Sequence, residues 1–196
     1  MFNLAKLNPS VMAFLIAACV AGKVAMASSV VSEIRLGGFD HSFDNKEHGF
    51  DLGGEVLFVS PFFPDWRQDT SALAYELLHP QPSVGFIVST SGQADQLYAG
   101  VNWRFRLASA LIFPRDALVL NAEFGPALNN GHVNPVTRQD RSAVGSNLLF
   151  HVQGVLEYLP NPRWAIGGYF GHSSNAGLRS YNESLNDLGV TVAYLF

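Results

Sequence analysis

The sequence predicts an all-β fold, an eight-stranded antiparallel transmembrane β-barrel. Three observations lead to this prediction. Stretches of about ten residues alternate between apolar and polar side chains, and turn-forming residues separate them. Only 14% of the 196 residues are charged, whereas about a quarter is usual for a soluble domain. The polar faces of the predicted strands carry both signs of charge, as expected where ion pairs fill the interior of a narrow barrel.

The alternation gives eight strands in order. They cover residues 32–42, 49–60, 83–91, 96–107, 116–125, 143–158, 163–174 and 186–196. In the fifth, Leu120 and Phe124 share one face and Asn121 and Glu123 the other, because successive side chains of a strand point to opposite sides. A soluble, lipocalin-like barrel would turn the apolar faces inward, whereas a membrane barrel turns them toward lipid.

Charges and the chain end favour the membrane barrel over the soluble one. The polar faces carry Arg35, Arg104 and Arg106 together with Glu33, Glu123 and Glu157. Phe196 closes the last alternating stretch, and this ending resembles the C-terminal signature of bacterial outer-membrane barrels. A barrel of about eight strands has an interior filled by side chains, so we expect no pore.

The first residues have the features of a secretory signal peptide. Lys6 precedes an apolar run over residues 11–21, which is too short for a transmembrane helix of roughly 20 residues. Small residues at 25 and 27 predict cleavage after Ala27, giving a signal peptide over 1–27 and a barrel over 28–196. The alternative is lipoprotein processing at Cys19. Cleavage after Ala27 would remove this single cysteine.

The connections should alternate between the two sides of the membrane. With a periplasmic N-terminus, residues 43–48, 92–95, 126–142 and 175–185 form outer loops, and residues 159–163 form an inner turn. The inner connection 61–82 is long. It predicts a short helix over about 69–78, capped by Asp69 or Thr70 and stopped at Pro80. This segment either packs on the rim of the barrel or docks a partner.

His172 and Ser174 lie on one face near the outer end of the seventh predicted strand. They share their parity with Trp164, Ile166 and Phe170, which marks the lipid-facing side. Residues two apart on a strand have Cα atoms about 6.5–7 Å apart, so suitable rotamers bring imidazole and hydroxyl into hydrogen-bond reach. A serine needs such an adjacent base to act as a nucleophile.

The segment "HSSNAGL" at 172–178 resembles the PagL-type lipid A 3-O-deacylases, which are outer-membrane barrels of eight strands, and "FGPALNNG" at 124–131 is also similar to this family. The resemblance implies hydrolysis of an ester-linked acyl chain of lipid A in lipopolysaccharide, with no metal or other cofactor. It implies Ser174 as the nucleophile and His172 as the base. It also implies an oxyanion hole from the backbone of Asn175, Ala176 and Gly177.

The third catalytic position departs from this family. The family pattern has a glutamate fourteen residues after the histidine, and this chain has Asn186 there. Asparagine can orient an imidazole but brings no counter-charge. We expect Glu183, in the loop 175–185, to be the carboxylate that reaches back to His172, while Asp187 points into the barrel.

Composition and the remaining histidines bear on the other function classes. A net charge of −4 gives no basic patch for nucleic acid. The histidines at 41, 48, 79, 132 and 151 show no metal-ligand spacing, so we expect no metal site. The alternative to an esterase is a non-catalytic barrel that serves adhesion, lipid binding or membrane stability. The sequence leaves a homodimer open.

Overall fold

A computed structural model of the chain describes residues 30–44, 47–62, 72–135 and 141–196. Within them, eight antiparallel strands form one closed barrel in chain order, and this confirms the predicted fold class. The strands are β1 (Val31–Asp40), β2 (Phe50–Phe58), β3 (Gln81–Ser89), β4 (Gln96–Ser109), β5 (Ala117–Asn129), β6 (Leu148–Asn161), β7 (Trp164–Ser174) and β8 (Leu185–Leu195). Pairing of β1 with β8 closes the barrel. The predicted signal peptide lies outside the described residues.

The strand boundaries agree with the prediction to within two residues, except between β5 and β6 and at the end of β6, which continues to Asn161 and shortens the predicted turn 159–163. The fifth strand continues to Asn129 because Gly125 lets its backbone pass close to Ala99, where an added Cβ would lie 2.0 Å from the carbonyl oxygen. The sixth strand begins at Leu148 rather than at residue 143. The left-handed backbone of Gly145, with φ of +75°, interrupts the alternation and leaves this stretch as a loop.

The outer wall of the barrel is apolar. Its exposed side chains include Leu36, Leu52, Val84, Leu97, Phe124, Phe150, Val152, Ile166, Phe170, Leu188, Val190 and Val192. An apolar band of this extent around the outside of a closed barrel is a lipid-facing surface. The soluble, lipocalin-like alternative required these residues to point inward, and it is therefore wrong.

Ion pairs centred on Arg35 fill part of the barrel interior. Arg35 donates from Nη2 to Glu33 (2.7 Å), from Nε to Glu157 (3.0 Å) and from Nη1 to Glu55. Arg104 adds a second cation and also binds Glu33. Paired charges thus fill this part of the interior. Their mixed signs agree with the sequence-based prediction.

A short helix, α1 (Ala72–Leu78), lies between β2 and β3. The indole Nε1 of Trp103 on β4 donates to the carbonyl oxygen of Leu77 (3.1 Å), and Arg106 N donates to Glu76 (3.3 Å). The helix therefore packs on the rim, as one of the two sequence-based interpretations stated. Arg106, predicted on the interior face, is exposed there. The predicted helix caps lie outside the described residues. No described helix has the length and apolar character needed to cross a membrane.

The barrel has two different ends. We call the end with the connections 41–49, 90–95, 130–147 and 175–184 the loop end. The other end, which we call the turn end, carries both chain termini of the barrel, α1, and the connections 110–116 and 162–163. The candidate residues on β7 and β8 lie at the loop end.

Candidate active site

The register of the sheet places His172 and Ser174 on the outside of the barrel at the loop end. On β7, Ile166 and Phe170 are exposed to the outside, and His172 and Ser174 continue the same parity to the end of the strand. In the sheet, His172 lies between Val152 of β6 and Asn186 of β8. The two side chains therefore form a polar cluster where the apolar outer wall reaches the loop end.

Three side chains form a continuous hydrogen-bonded row. Ser174 Oγ lies 2.9 Å from His172 Nε2. The other ring nitrogen, Nδ1, lies 2.6 Å from Asn186 Oδ1. An amide oxygen only accepts hydrogen bonds, so Nδ1 carries a proton, and in the neutral ring Nε2 presents its lone pair to the serine hydroxyl. This is the tautomer that a general base needs.

The carboxylate next to this row comes from a part of the chain that the sequence analysis did not consider. Asn186 Nδ2 donates to both oxygens of Asp44, at 2.9 and 2.7 Å. Asp44 belongs to the connection between β1 and β2, and 142 residues separate it from Asn186. No spacing or motif signals this contact, because only the closure of the barrel between β1 and β8 creates it.

The two carboxylates considered from sequence have other partners. Glu183, expected to reach back to His172, instead accepts a hydrogen bond from Ala143 N at 2.6 Å and ties two loops together. The expected contact between Glu183 and His172 is therefore wrong, because Asn186 and Ser174 occupy the two ring nitrogens of His172. Asp187 points into the barrel, as predicted, and accepts a hydrogen bond from Gln96 (2.8 Å).

The residues after Ser174 form a tight turn. Ala176 and Gly177 have φ of +54° and +76°, and Leu178 N donates to Asn175 O at 3.0 Å. Two successive positive φ angles are typical of a type I′ turn. Asn175 N already donates to Asn182 Oδ1 (2.9 Å). It is therefore occupied, and the backbone donors left for an oxyanion within the described turn are those of Ala176 and Gly177.

The side chain of Asn175 braces this turn against the neighbouring loops. Its Nδ2 donates to Val144 O (2.8 Å) and to Tyr181 O (2.6 Å), and the residue is buried. Gly145 makes this contact feasible, because a Cβ there would lie 1.9 Å from Tyr181 O. Asn175 thus positions the turn and does not face outward as a donor.

A second serine–histidine contact lies next to the first but on the inner face. His151 Nδ1 is 2.8 Å from Ser173 Oγ, which donates to Gln96 Oε1 at 2.5 Å. His151 and Ser173 are buried inside the barrel. A lipid at the outer wall cannot reach them. The alternation of β7 therefore separates Ser174, which lies on the outer face and is 8% exposed, from Ser173 on the inner face.

One cluster among the described residues has the composition of a metal site. Ligand atoms of His41, Asp51 and Asp187 lie within 4.8 Å of one another. However, His41 Nδ1 contacts Asp51 Oδ2 at 2.5 Å and Nε2 contacts Glu47 Oε2 at 3.0 Å. Although burial opposes protonation, these hydrogen bonds raise the pKa of His41 to about 10. In this state the cluster is an ion-pair network, in which the protonated His41 binds Asp51 and Glu47.

Comparisons with known proteins bear on the family and the fold of the chain. A family model described as "Lipid A 3-O-deacylase (PagL)" matches residues 65–195, which is well over half of the chain. Among solved structures, the outer membrane enzyme PagL has a TM-score of 0.62 and 14% identity, over 84% of this chain and 100% of that chain.

Other solved barrels are less similar. The N-terminal β-barrel domain of Pseudomonas aeruginosa OprF has a TM-score of 0.44 and 7% identity, over 85% of this chain and 99% of that chain. Yersinia pestis Ail has a TM-score of 0.41 and 11% identity, over 84% and 99%. A comparison with curated protein sequences gives no match.

Proposed function

Because the chain belongs to the PagL family of lipid A 3-O-deacylases, outer-membrane ester hydrolases, we propose that it removes an ester-linked acyl chain from lipid A with Ser174 as the nucleophile and His172 as the base. The observation that carries this proposal is the 2.9 Å contact between His172 Nε2 and Ser174 Oγ on the outer wall. A serine hydroxyl becomes nucleophilic when an adjacent base accepts its proton.

The reaction would proceed through an acyl-enzyme. His172 Nε2 takes the proton of Ser174 as Oγ attacks the ester carbonyl carbon. The resulting tetrahedral intermediate expels the sugar oxygen, which leaves as a hydroxyl with the proton from the imidazolium. Water then gives a proton to His172 and attacks the acyl carbon, and collapse of the second intermediate returns that proton to Ser174. The products are a fatty acid and lipid A with one acyl chain fewer.

Two further parts of the site assist this reaction, one by orienting the base and one by binding the negative oxygen of the intermediate. Asn186 holds His172 through the 2.6 Å contact to Nδ1 and so keeps Nε2 directed at Ser174. The N–H groups of Ala176 and Gly177 follow the nucleophile by two and three residues. They lie in the turn that begins at Asn175 and are the backbone donors that we assign to the negative oxygen of the tetrahedral intermediate.

The surroundings of the pair fit a substrate that arrives from the membrane. Phe150 lies opposite Ser174 in the sheet, Val152 lies opposite His172, and Phe170 precedes His172 by two residues on the same face. All three apolar side chains are exposed to the outside. An acyl chain lying along this wall places its ester at the edge of the wall next to the loop end. With the N-terminus in the periplasm, that edge is in the outer leaflet, where lipid A is found.

The test is mass spectrometry of lipid A from membranes that contain the protein. We expect the unmodified protein to remove one acyl chain and Ser174→Ala to remove none. Ser173→Ala is the matched control, because it deletes the neighbouring hydroxyl on the inner face and should keep deacylation. Heat-dependent migration on gels verifies that each barrel is folded. Unchanged deacylation by folded Ser174→Ala would overturn the proposal.

The alternative function is a non-catalytic, lipid-binding barrel. The observation that favours it is Asn186 at the position where the family pattern has a glutamate. Under this alternative, the unmodified protein leaves lipid A intact in the same experiment. Loss of one acyl chain that depends on Ser174 excludes it.

A further inference from the structure

We propose that Asp44 is a positioning residue of this site, whose carboxylate holds the Asn186 side-chain amide in the one orientation that keeps His172 competent as a base. The inference rests on the proposed function of the Ser174–His172 pair. It assigns a role to a residue in the loop after β1, remote in sequence from the "HSSNAGL" segment.

The argument starts from the symmetry of an amide. The oxygen and the NH₂ group of Asn186 have nearly the same shape, so packing alone does not choose which one faces His172. If the amide turned over, its NH₂ would face Nδ1, and His172 would have to carry its proton on Nε2. A protonated Nε2 cannot accept the proton of Ser174. The orientation of this amide therefore decides whether the pair can react.

Asp44 fixes that orientation because a carboxylate only accepts hydrogen bonds. Both of its oxygens lie within 2.9 Å of Asn186 Nδ2. In the turned-over amide, the Asn186 oxygen would face this carboxylate, and two acceptors would repel each other. Asn186 is only 8% exposed, so water does not readily replace the lost partner. The Ser184 hydroxyl, 3.2 Å from the same Nδ2, is a weaker neutral acceptor.

The segment that carries Asp44 is attached to the start of β8 by its backbone. Phe43 N donates to Asn186 O at 3.1 Å, and Ser42 N donates to Asp187 Oδ1 at 3.4 Å. The ring of Phe43 also lies edge-on to Phe170, with centroids 6.3 Å apart. The left-handed backbone of Ser42, with φ of +48°, turns the chain into this position. These contacts fix the backbone that carries Asp44, and they hold its exposed carboxylate against Asn186.

Asp44 also accounts for the departure of this chain from its family at position 186. An asparagine brings no negative charge to an imidazolium. A carboxylate on the far side of the amide supplies that charge through a hydrogen-bonded chain of Asp44, Asn186 and His172. The negative charge therefore lies one hydrogen-bonded side chain farther from His172 than a glutamate at position 186 would place it.

The test exchanges the two groups. Asp44→Asn, Asn186→Asp and the double variant Asp44→Asn/Asn186→Asp are compared for deacylation of lipid A in mixed micelles. We expect each single variant to lose kcat by roughly 10- to 100-fold with KM little changed. Asp44→Asn removes the carboxylate behind the Asn186 amide, and Asn186→Asp sets two carboxylates against each other. The double variant places a carboxylate against His172 with an amide behind it. It should be more active than either single variant.

Asp40→Asn is the matched control, because it removes an exposed carboxylate of the same loop end, four residues earlier and outside the hydrogen-bonded row. It should keep the wild-type kcat. A second measurement covers variants of low activity: ¹⁵N NMR of histidine in the folded barrel. His172 should have its proton on Nδ1 in the wild type and lose this preference in Asp44→Ala.

The outcomes separate this inference from the proposed function. If folded Ser174→Ala still deacylates lipid A, the proposed function fails, and the role of Asp44 fails with it. If Ser174→Ala is inactive but Asp44→Ala keeps the wild-type kcat, only the role of Asp44 is overturned. Additive losses in the double variant, or an unchanged His172 tautomer in Asp44→Ala, would also overturn it.

Discussion

His172 on β7 and Asn186 on β8 are direct partners in the antiparallel register, and their side chains meet at 2.6 Å on the outside of the barrel. The backbone ladder itself therefore sets the distance between the base and the residue that orients it. The sheet also sets which face both residues use. Rigid strands hold the reactive groups more precisely than loops would, so the site should be sensitive to side-chain changes at these two strand positions.

Removing the amide of Asn186 should slow the reaction strongly. In Asn186→Ala, His172 loses the acceptor that fixes its tautomer and orientation, and we expect kcat to fall by roughly two to four orders of magnitude. Initial rates of fatty acid release from lipid A measure this change. Val192→Ala, on the same outer face of β8 but farther down the strand, should stay within about twofold of the wild type. Equal losses in both variants would refute an orienting role for Asn186.

Gly145→Ala should disrupt the turn that follows Ser174. The added Cβ would lie 1.9 Å from Tyr181 O and 2.7 Å from Asn175 Nδ2, at a backbone φ of +75°. The loop must then move, and the Asn175 brace is lost with it. We expect lower kcat and increased proteolysis between residues 141 and 147 in a folded barrel. Gly168→Ala is the control, because a Cβ there meets no atom within 4 Å. Normal activity of Gly145→Ala would contradict the importance of this brace.

Arg35 is expected to be important for stability rather than for chemistry. Arg35→Met leaves Glu33, Glu55 and Glu157 with one cation fewer inside the barrel, and breaking such a buried group costs about 3–5 kcal/mol. Urea unfolding in lipid vesicles measures the loss. The exposed Arg163→Met should change the free energy of unfolding by less than about 0.5 kcal/mol. A stable Arg35→Met barrel would show that the interior ion pairs are dispensable.

The loop end should lose stability as the pH rises. Hydrogen bonds to Asp51 and Glu47 outweigh burial and raise the pKa of His41 from 6.5 to about 10. A raised pKa means that the folded state binds the proton more tightly. This contribution to stability is therefore complete below pH 6.5 and disappears between pH 6.5 and about 10.

Urea midpoints at several pH values measure this dependence, with His41→Gln as the variant that cannot titrate. The difference in stability between wild type and His41→Gln should shrink steadily over that interval. Glu47, whose pKa is lowered by hydrogen bonds from His41 and Ser142 in spite of burial, acts in the opposite direction and weakens the network at acidic pH. A difference that is independent of pH from 6.5 to 10 would show that His41 does not titrate in this way.

The barrel and the part of the site that lies on the strands can be predicted from the sequence. Alternation with a period of two gives the strands, and parity places His172 and Ser174 outside and Ser173 inside. Parity also places Asn186 on the outer face of β8. These predictions depend only on local order along a strand, which is why a single sequence contains them.

The rest of the site depends on contacts that local patterns cannot encode. Asp44 meets Asn186 because the first and last strands pair, so the relevant residues are separated by nearly the whole barrel. Glu183 was a reasonable choice by distance along the chain, but the loop folds its carboxylate onto Ala143 N. The early end predicted for β5 failed because a glycine that usually marks a turn here permits close strand packing.

The most direct test of the central claim is peptide mass spectrometry after treatment with an alkyl fluorophosphonate, a reagent that modifies activated serines. If Ser174 is the nucleophile, the phosphonate adduct lies on Ser174 and not on Ser173, and deacylation of lipid A is lost in proportion to labelling. Full deacylation by protein that is completely labelled at Ser174, or inhibition with no adduct on Ser174, would contradict the claim.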